Sequence, residues 1–285
     1  MQDFGQESVY YAHAGAGELH LRPILNLKTS EGVRLLYEIS KASAALVKKY
    51  GGSLSGEHGD GRVRAAFIKD FYGPQVYPWM ESFKKAWDPE NRLNPGKIVG
   101  AKPMNEDLRY EVDREEPVLD TQFPFSEEGG FLRAVEKCNG SGDCRKGPQA
   151  GGTMCPSYMA TREEKHTTRA RANILRQILT EPADAEHPFN SEEIKEVMDL
   201  CLSCKACKSE CPSSVDMTKL KAEFQQHYHE ANGVPLRSRM VAHFADSARL
   251  ASFAPRLYNA FFQTPILRRI ANPLIGFHSE RSIPR

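Results

Sequence analysis

Cys201, Cys204, Cys207 and Cys211 fall within eleven residues as C-x2-C-x2-C-x3-C, and Pro212 follows the last of them. No other feature restricts the fold as much, because thiols this close must converge on metal, pair or oxidise. The chain has seven cysteines, the others being Cys138, Cys144 and Cys155, and an odd number fits disulfide pairing poorly. The N-terminus, MQDFGQESVYY, lacks a charged start followed by an apolar run, so no secretory signal is expected and the thiols are read as reduced. The spacing is that of iron–sulfur ligation. Three thiolates at these intervals wrap three corners of one cubane, and the fourth cysteine, directed away by its proline, serves the other cluster of a two-cluster protein.

The first cubane is then one ligand short, and Cys155-Pro156, in the stretch GTMCPSYMATREEK, supplies it. By the same reciprocity Cys211 joins Cys138 and Cys144 of CNGSGDC at a second cluster. That second site has three cysteines. Its C-x5-C pair with a distant Cys-Pro resembles the three-cysteine group of succinate dehydrogenase iron–sulfur subunits, which leaves open a [3Fe-4S] cluster or a [4Fe-4S] cluster with a non-cysteine ligand. The competing reading is a structural zinc site at Cys201, Cys204, Cys207 and Cys211, although zinc sites usually present C-x2-C pairs on separate elements. Helical segments over 158–179 and 191–200 make the cysteine region an all-α ferredoxin-like domain. On the first of these, Arg162, Lys165, His166, Arg169, Arg171 and Arg176 form either a solvated face or a group that tunes the cluster and docks an acidic electron partner.

At 285 residues and 40% hydrophobic, the chain has material for two domains. Strands over 8–12 and 19–27 are expected to form a hairpin around Gly15-Ala16-Gly17. A helix capped by Ser30 carries Leu36, Ile39, Ser43, Leu46 and Tyr50 on one face, and another after Pro74 turns Val76, Trp79, Phe83 and Trp87 toward the core. Residues 1–100 form the first domain and acidic 101–128 a linker. The cysteine domain covers 129–232, and 233–285 is an extension toward a further module. The fold class is α+β. The 38 Lys and Arg nearly cancel the 37 Asp and Glu, so nucleic acid is not an expected partner. No apolar run reaches the roughly 18 residues of a membrane span, so a cytoplasmic protein, peripheral at most at the inner membrane face, is expected.

AHAGAGELHLRP contains His13 and His20, and SGEHGDGR contains Glu57 and His58. A turn centred on Ala16 sets His13 nearly opposite His20, within about 5 Å across the strands. With Glu57 they make the two-histidine, one-carboxylate set of a catalytic zinc site, while a core or surface role is the simpler account of the two histidines alone.

His13-Ala14-Gly15-x-Gly17-x-x-His20, Glu57-His58-Gly59-x-Gly61 and Asn94-Pro95-Gly96-Lys97 resemble the C-terminal half of FAD-linked oxidases of the D-lactate dehydrogenase, glycolate oxidase and D-2-hydroxyglutarate dehydrogenase group. With CNGSGDCRK and MCPSYMATREEKHTTRARA, the whole is similar to large bacterial FAD and iron–sulfur oxidases. The resemblance implies a mixed sheet with helices, a divalent metal at His13, His20 and Glu57, a general base at His58, and cofactor contacts at Asn94 and Lys97. It further implies a 2-hydroxy acid substrate, hydride transfer to FAD and single-electron transfer to a [4Fe-4S] cluster and its companion, with a quinone or redox protein as acceptor. Three positions depart from the family pattern. Gly-Asp-Gly-Asn becomes Gly15-Ala16-Gly17-Glu18, and Arg22 stands where Asn is common and could clamp a substrate carboxylate. The family's FAD-binding domain and cysteine-rich modules do not occur in these residues, so the flavin pocket is expected from other sequence or another chain. A pure electron-transfer protein and a zinc-stapled scaffold are the competing functions.

Overall fold

The computed structural model describes residues 1–182, 184 and 186–282. Two compact units divide the chain, Met1–Glu115 and Glu116–Arg285, and the break falls inside the acidic 101–128 stretch.

In the first unit a β-branched and aromatic run makes β1 (Ser8–His13), which pairs antiparallel with β2 (Glu18–Pro23). Among the described residues this hairpin is the whole sheet. One 3-10 turn, Ala14–Ala16, joins the strands and ends at Gly17, whose φ of 64° is left-handed and suits glycine. This turn pairs His13 with Glu18 and Tyr11 with His20. The histidines are therefore diagonal neighbours on one face rather than nearly opposite, because the turn centres one half-residue before Ala16.

Helix α1 (Ser30–Lys49) is capped by Thr29 rather than Ser30, with the Thr29 hydroxyl accepting from Gly32 N at 3.1 Å. Its inner face carries Val33, Leu35 and Ile39, whereas Leu46 and Tyr50 are exposed. Helix α2 (Ala65–Trp87) begins well before Pro74 and bends at Gly73, where φ is 77°. The bend sets the inner face at Ile68, Tyr77 and Met80, packed against Ile98 and Ala101. Trp79, Phe83 and Trp87, expected in the core, lie on the opposite side and are 71%, 69% and 76% exposed. At the end of α2 the Asp88 carboxylate accepts from Arg92 N and Leu93 N, each at 2.8 Å, and pairs with Lys84.

The second unit is helical throughout. Its helices are α3 (Phe131–Glu136), α4 (Pro156–Thr161), α5 (Thr168–Thr180), α6 (Glu192–Asp199), α7 (Ala206–Glu210), α8 (Met217–Asn232), α9 (Leu236–Ala242), α10 (Phe244–Ala251), α11 (Pro255–Gln263) and α12 (Pro265–Leu274). Thr167, Ser191 and Asp216 cap α5, α6 and α8 through their side chains. The helix expected over 158–179 is broken by Arg162, left-handed at φ 62°, and a 3-10 turn at Glu164–His166. The break disperses the basic residues: His166 and Arg171 are buried, while Arg162 and Lys165 are exposed. Val135, Leu175, Leu179, Ile194, Met198, Leu220 and Phe224 form the core. Of the extension, residues 283–285 lie outside the described residues. No helix among the described residues is long and apolar enough to cross a membrane.

Candidate functional site

The hairpin of the first unit gathers a histidine cluster on one face. Residues paired across the strands, or two apart along one, share a face, so the register puts Tyr11, His13, Glu18, His20 and Arg22 together. The His13 and His20 rings lie 4.7 Å apart, and Tyr11 stacks on His20 at 4.5 Å. From the glycine-flanked loop after α1, His58 comes within 6.4 Å of the His13 ring and 6.1 Å of the His20 ring. One ring nitrogen from each of the three histidines lies within 4.8 Å of the others, a separation one metal ion could bridge. Glu57 Oε2 is 3.7 Å from His13 Nδ1.

The sequence reading gave Glu57 ligation and His58 the proton; the fold brings both to the imidazole pair, with His58 nearer to forming a compact set. Arg22 shares the face and rests over the Tyr11 ring at 4.7 Å. Asn94 and Lys97 are exposed in the loop after α2, where Asn94 takes a left-handed φ of 46°. Sequence reasoning missed Glu18, whose Oε1 lies 3.0 Å from His20 Nε2. The contact is out of line for a hydrogen bond, so His20 Nε2 and Glu18 Oε2 are buried without a partner among the described residues. A correct turn length would have revealed it, since strand alternation puts residue 18 on the face of residue 20.

In the second unit, Cys155, Cys201, Cys204 and Cys207 line a single cleft together with Thr168 and Arg171. Left-handed residues at Ser203 (φ 52°) and Lys205 (φ 64°) curl the loop that carries three of these thiols. Cys155 is itself left-handed at φ 56°, and its sulfur accepts from Thr168 N at 3.0 Å. Cys207 is held above the usual thiol range, first by burial and then by the neighbouring Cys201 and Cys204. Thiols that cannot ionise together without repulsion form the donor set that bound iron or zinc would neutralise.

Cys144 lies against Cys155. The neighbouring Cys155 thiol holds Cys144 below the usual thiol range, helped by the Arg169 backbone N–H, while Cys144 and burial raise Cys155. Arg169 is raised mainly by its bond to Glu164, and the thiols of Cys144 and Cys138 also act on it. Cys211 is half-buried at the edge of the same core, its N–H bonded to Cys207 O at 3.1 Å.

Three further residues hold this arrangement, and none was legible in the cysteine pattern. Glu210, just before Cys211-Pro212, accepts from Thr153 N at 2.8 Å and Met154 N at 3.1 Å, which ties together the approaches to the two Cys-Pro pairs. Lys221 donates to Met198 O at 2.8 Å and Cys201 O at 2.7 Å. The buried Arg171 donates to Val197 O, His166 O and Ser157 Oγ, linking α6 to the segment around α4.

The first unit thus presents a histidine-bearing hairpin and the second a helical domain with seven cysteines. Residues 1–98 match the family described as FAD linked oxidases, C-terminal domain, and residues 137–216 match the 4Fe-4S dicluster domain; the chain carries both. It is similar to the D-2-hydroxyglutarate dehydrogenase of Escherichia coli K12, at 32% identity over 93% of this chain and 29% of that protein. The D-2-hydroxyglutarate dehydrogenase of Pseudomonas putida KT2440 matches at 30% over the whole chain and 31% of its own length. The D-lactate dehydrogenase of Archaeoglobus fulgidus matches at 36% over 34% of this chain and 21% of its own. The chain thus spans about three-tenths of the length of the first two relatives. No solved structure matches.

Proposed function

We propose that this chain is the substrate-side and electron-relay part of an FAD-dependent D-2-hydroxy acid dehydrogenase, acting on a D-2-hydroxyglutarate-like or D-lactate-like substrate. The observation that carries the reading is the meeting of three imidazoles at one hairpin face, with Glu57 3.7 Å from His13 and Glu18 3.0 Å from His20, inside the stretch that matches the oxidase family. The names of the similar proteins support the substrate class.

In this reading His13, His20 and Glu57 hold a divalent ion, zinc by the nitrogen and oxygen character of the donors. His58 takes the substrate's hydroxyl proton on a ring nitrogen, and Arg22 pairs with a substrate carboxylate. Bound in place, the ion would supply a lowered hydroxyl pKa, FAD a hydride acceptor, and the clusters one-electron carriers. Asn94 and Lys97 contact the flavin, whose main pocket belongs to a separate FAD-binding domain or chain. Cys155 with Cys201, Cys204 and Cys207 holds a [4Fe-4S] cluster. Cys138, Cys144 and Cys211 hold a second cluster of [4Fe-4S] or [3Fe-4S] type. The domain limits follow the same reading, with 1–100 as the oxidase part, 101–128 as linker, 129–232 as ferredoxin-like and 233–285 as an extension. The acceptor is a quinone or a redox protein, and the protein works in the cytoplasm, at the inner membrane face when the acceptor is a quinone.

The test is His58→Ala in the complete enzyme. Metal and flavin content are expected to stay at wild-type levels while flavin reduction slows by roughly 10²- to 10⁴-fold. Equal rates in the folded, metal-loaded variant would leave an electron-transfer subunit without catalysis of its own as the better account.

A further inference from the structure

Glu18 closes the hairpin opposite His13 and stands two residues before His20, so its side chain shares their face. The side chain is 11% exposed, and Oε2 is fully buried without a partner among the described residues. Its environment is tailored to it. A Cβ at Gly56 would stand 2.5 Å from Glu18 Oε2, so the loop that presents Glu57 and His58 has no side chain where the carboxylate is seated.

An unpaired carboxylate out of water costs several kcal/mol, and such groups are retained where a cation meets them. His20 Nε2 lies 3.0 Å from Glu18 Oε1, and the two are misaligned for a hydrogen bond, with Nε2 likewise lacking a partner among the described residues. Two atoms that each sit roughly 2.0–2.2 Å from one ion, at about a right angle, are about 3 Å apart. A nitrogen and an oxygen at that separation, both buried and neither bonded to the other, have the relation of neighbours in one coordination shell.

We propose that Glu18 is itself a ligand of the divalent ion held at this hairpin. The inference rests on the metal-site reading above and extends it: one strand pair supplies His13, His20 and Glu18, and the 56–58 loop supplies Glu57. Two carboxylates then balance the charge of the dication. With four protein ligands, the ion would have to widen its coordination shell to admit substrate.

The test uses the purified full chain loaded with zinc, with affinity measured by chelator competition and imidazole ligation counted from zinc K-edge X-ray absorption, which iron does not obscure. Glu18→Gln keeps shape and removes charge. It is expected to lower zinc affinity more than 100-fold while the number of bound imidazoles stays at the wild-type value. Gly56→Ala, which leaves Glu18 intact but intrudes on Oε2, is expected to weaken binding in the same direction, so the outcome does not depend on one variant folding. Unchanged affinity in Glu18→Gln overturns the proposal. So does a loss within the roughly 10–100-fold of an outer partner, accompanied by loss of one imidazole, because Glu18 would then only orient His20. The underlying reading fails differently: if wild type takes up no zinc beyond what His13→Ala and His20→Ala retain, there is no hairpin ion at all, and both ideas fall.

Discussion

Replacing Arg171 with Met should loosen the second unit and empty its cysteine cleft. The guanidinium is 1% exposed and donates to Val197 O at 2.8 Å, His166 O at 2.8 Å and Ser157 Oγ at 3.1 Å. Each hydrogen bond from a charged donor contributes about 1.5–3 kcal/mol, so three lost bonds amount to about 5–9 kcal/mol before offsets. Two offsets apply. Removing a buried charge returns several kcal/mol of desolvation cost, and His166 O keeps the Ser157 hydroxyl at 2.8 Å. A net loss of about 3 kcal/mol remains, most of it from the stranded Val197 carbonyl. For a unit of this size that lowers Tm by roughly 6–12 °C. Because Arg171 ties the segment before Cys201 to the segment beside Cys155, iron held in the cleft should fall with stability. The assay is circular-dichroism melting of the full chain at a fixed scan rate, with iron content measured on the same sample. Arg171→Lys, which keeps charge but not the forked geometry, should fall between. A change in Tm below 2 °C with full iron would refute the argument that this fork organises the cleft.

Glu223 is fully buried and accepts from Gln122 N at 2.8 Å and Phe123 N at 3.0 Å, so Glu223→Ala should release that segment and speed chymotryptic cleavage near Phe123; an unchanged digestion rate would count against it. Glu210 is held below the ordinary carboxylate range, first by the Thr153 backbone N–H, then by the Thr153 hydroxyl and Met154 N–H. A depressed folded-state pKa stabilises the fold above the unfolded value of about 4.3, and this stabilisation is lost as pH falls through the folded value. Wild type should therefore lose Tm below about pH 4.3 more steeply than Glu210→Gln, and parallel acid limbs would contradict the assignment. For the clusters, Cys155→Ser should perturb the electron paramagnetic resonance of the site at Cys201, Cys204 and Cys207, and Cys211→Ser that of the site at Cys138 and Cys144. The reverse pattern would exclude reciprocal ligation.

Much of the chemistry was legible in the linear order because it depends on residue type and short spacing. Four cysteines within eleven residues mark a candidate metal-binding loop whatever the surrounding fold, and His13, His20, Glu57 and His58 lie in glycine-rich stretches that stand out in any reading. Caps and breaks were only partly readable. Thr29 and Ser30 are both good caps, and which of them bonds to Gly32 depends on where the chain enters the helix.

What the tertiary structure alone decided concerns register and facing. A half-residue change in the centre of one turn exchanged the partner of His13 and set Glu18 opposite it, on the face that His20 shares. A bend at Gly73 put Trp79, Phe83 and Trp87 on the outer side of their helix, although their spacing fits a core stripe equally well. Arg171 looks from sequence like one of six surface cations, and only the break at Arg162 carries it inside, where three acceptors compensate its charge. Periodicity says which residues lie together on an element; which way that element faces is settled by contacts between residues far apart in sequence.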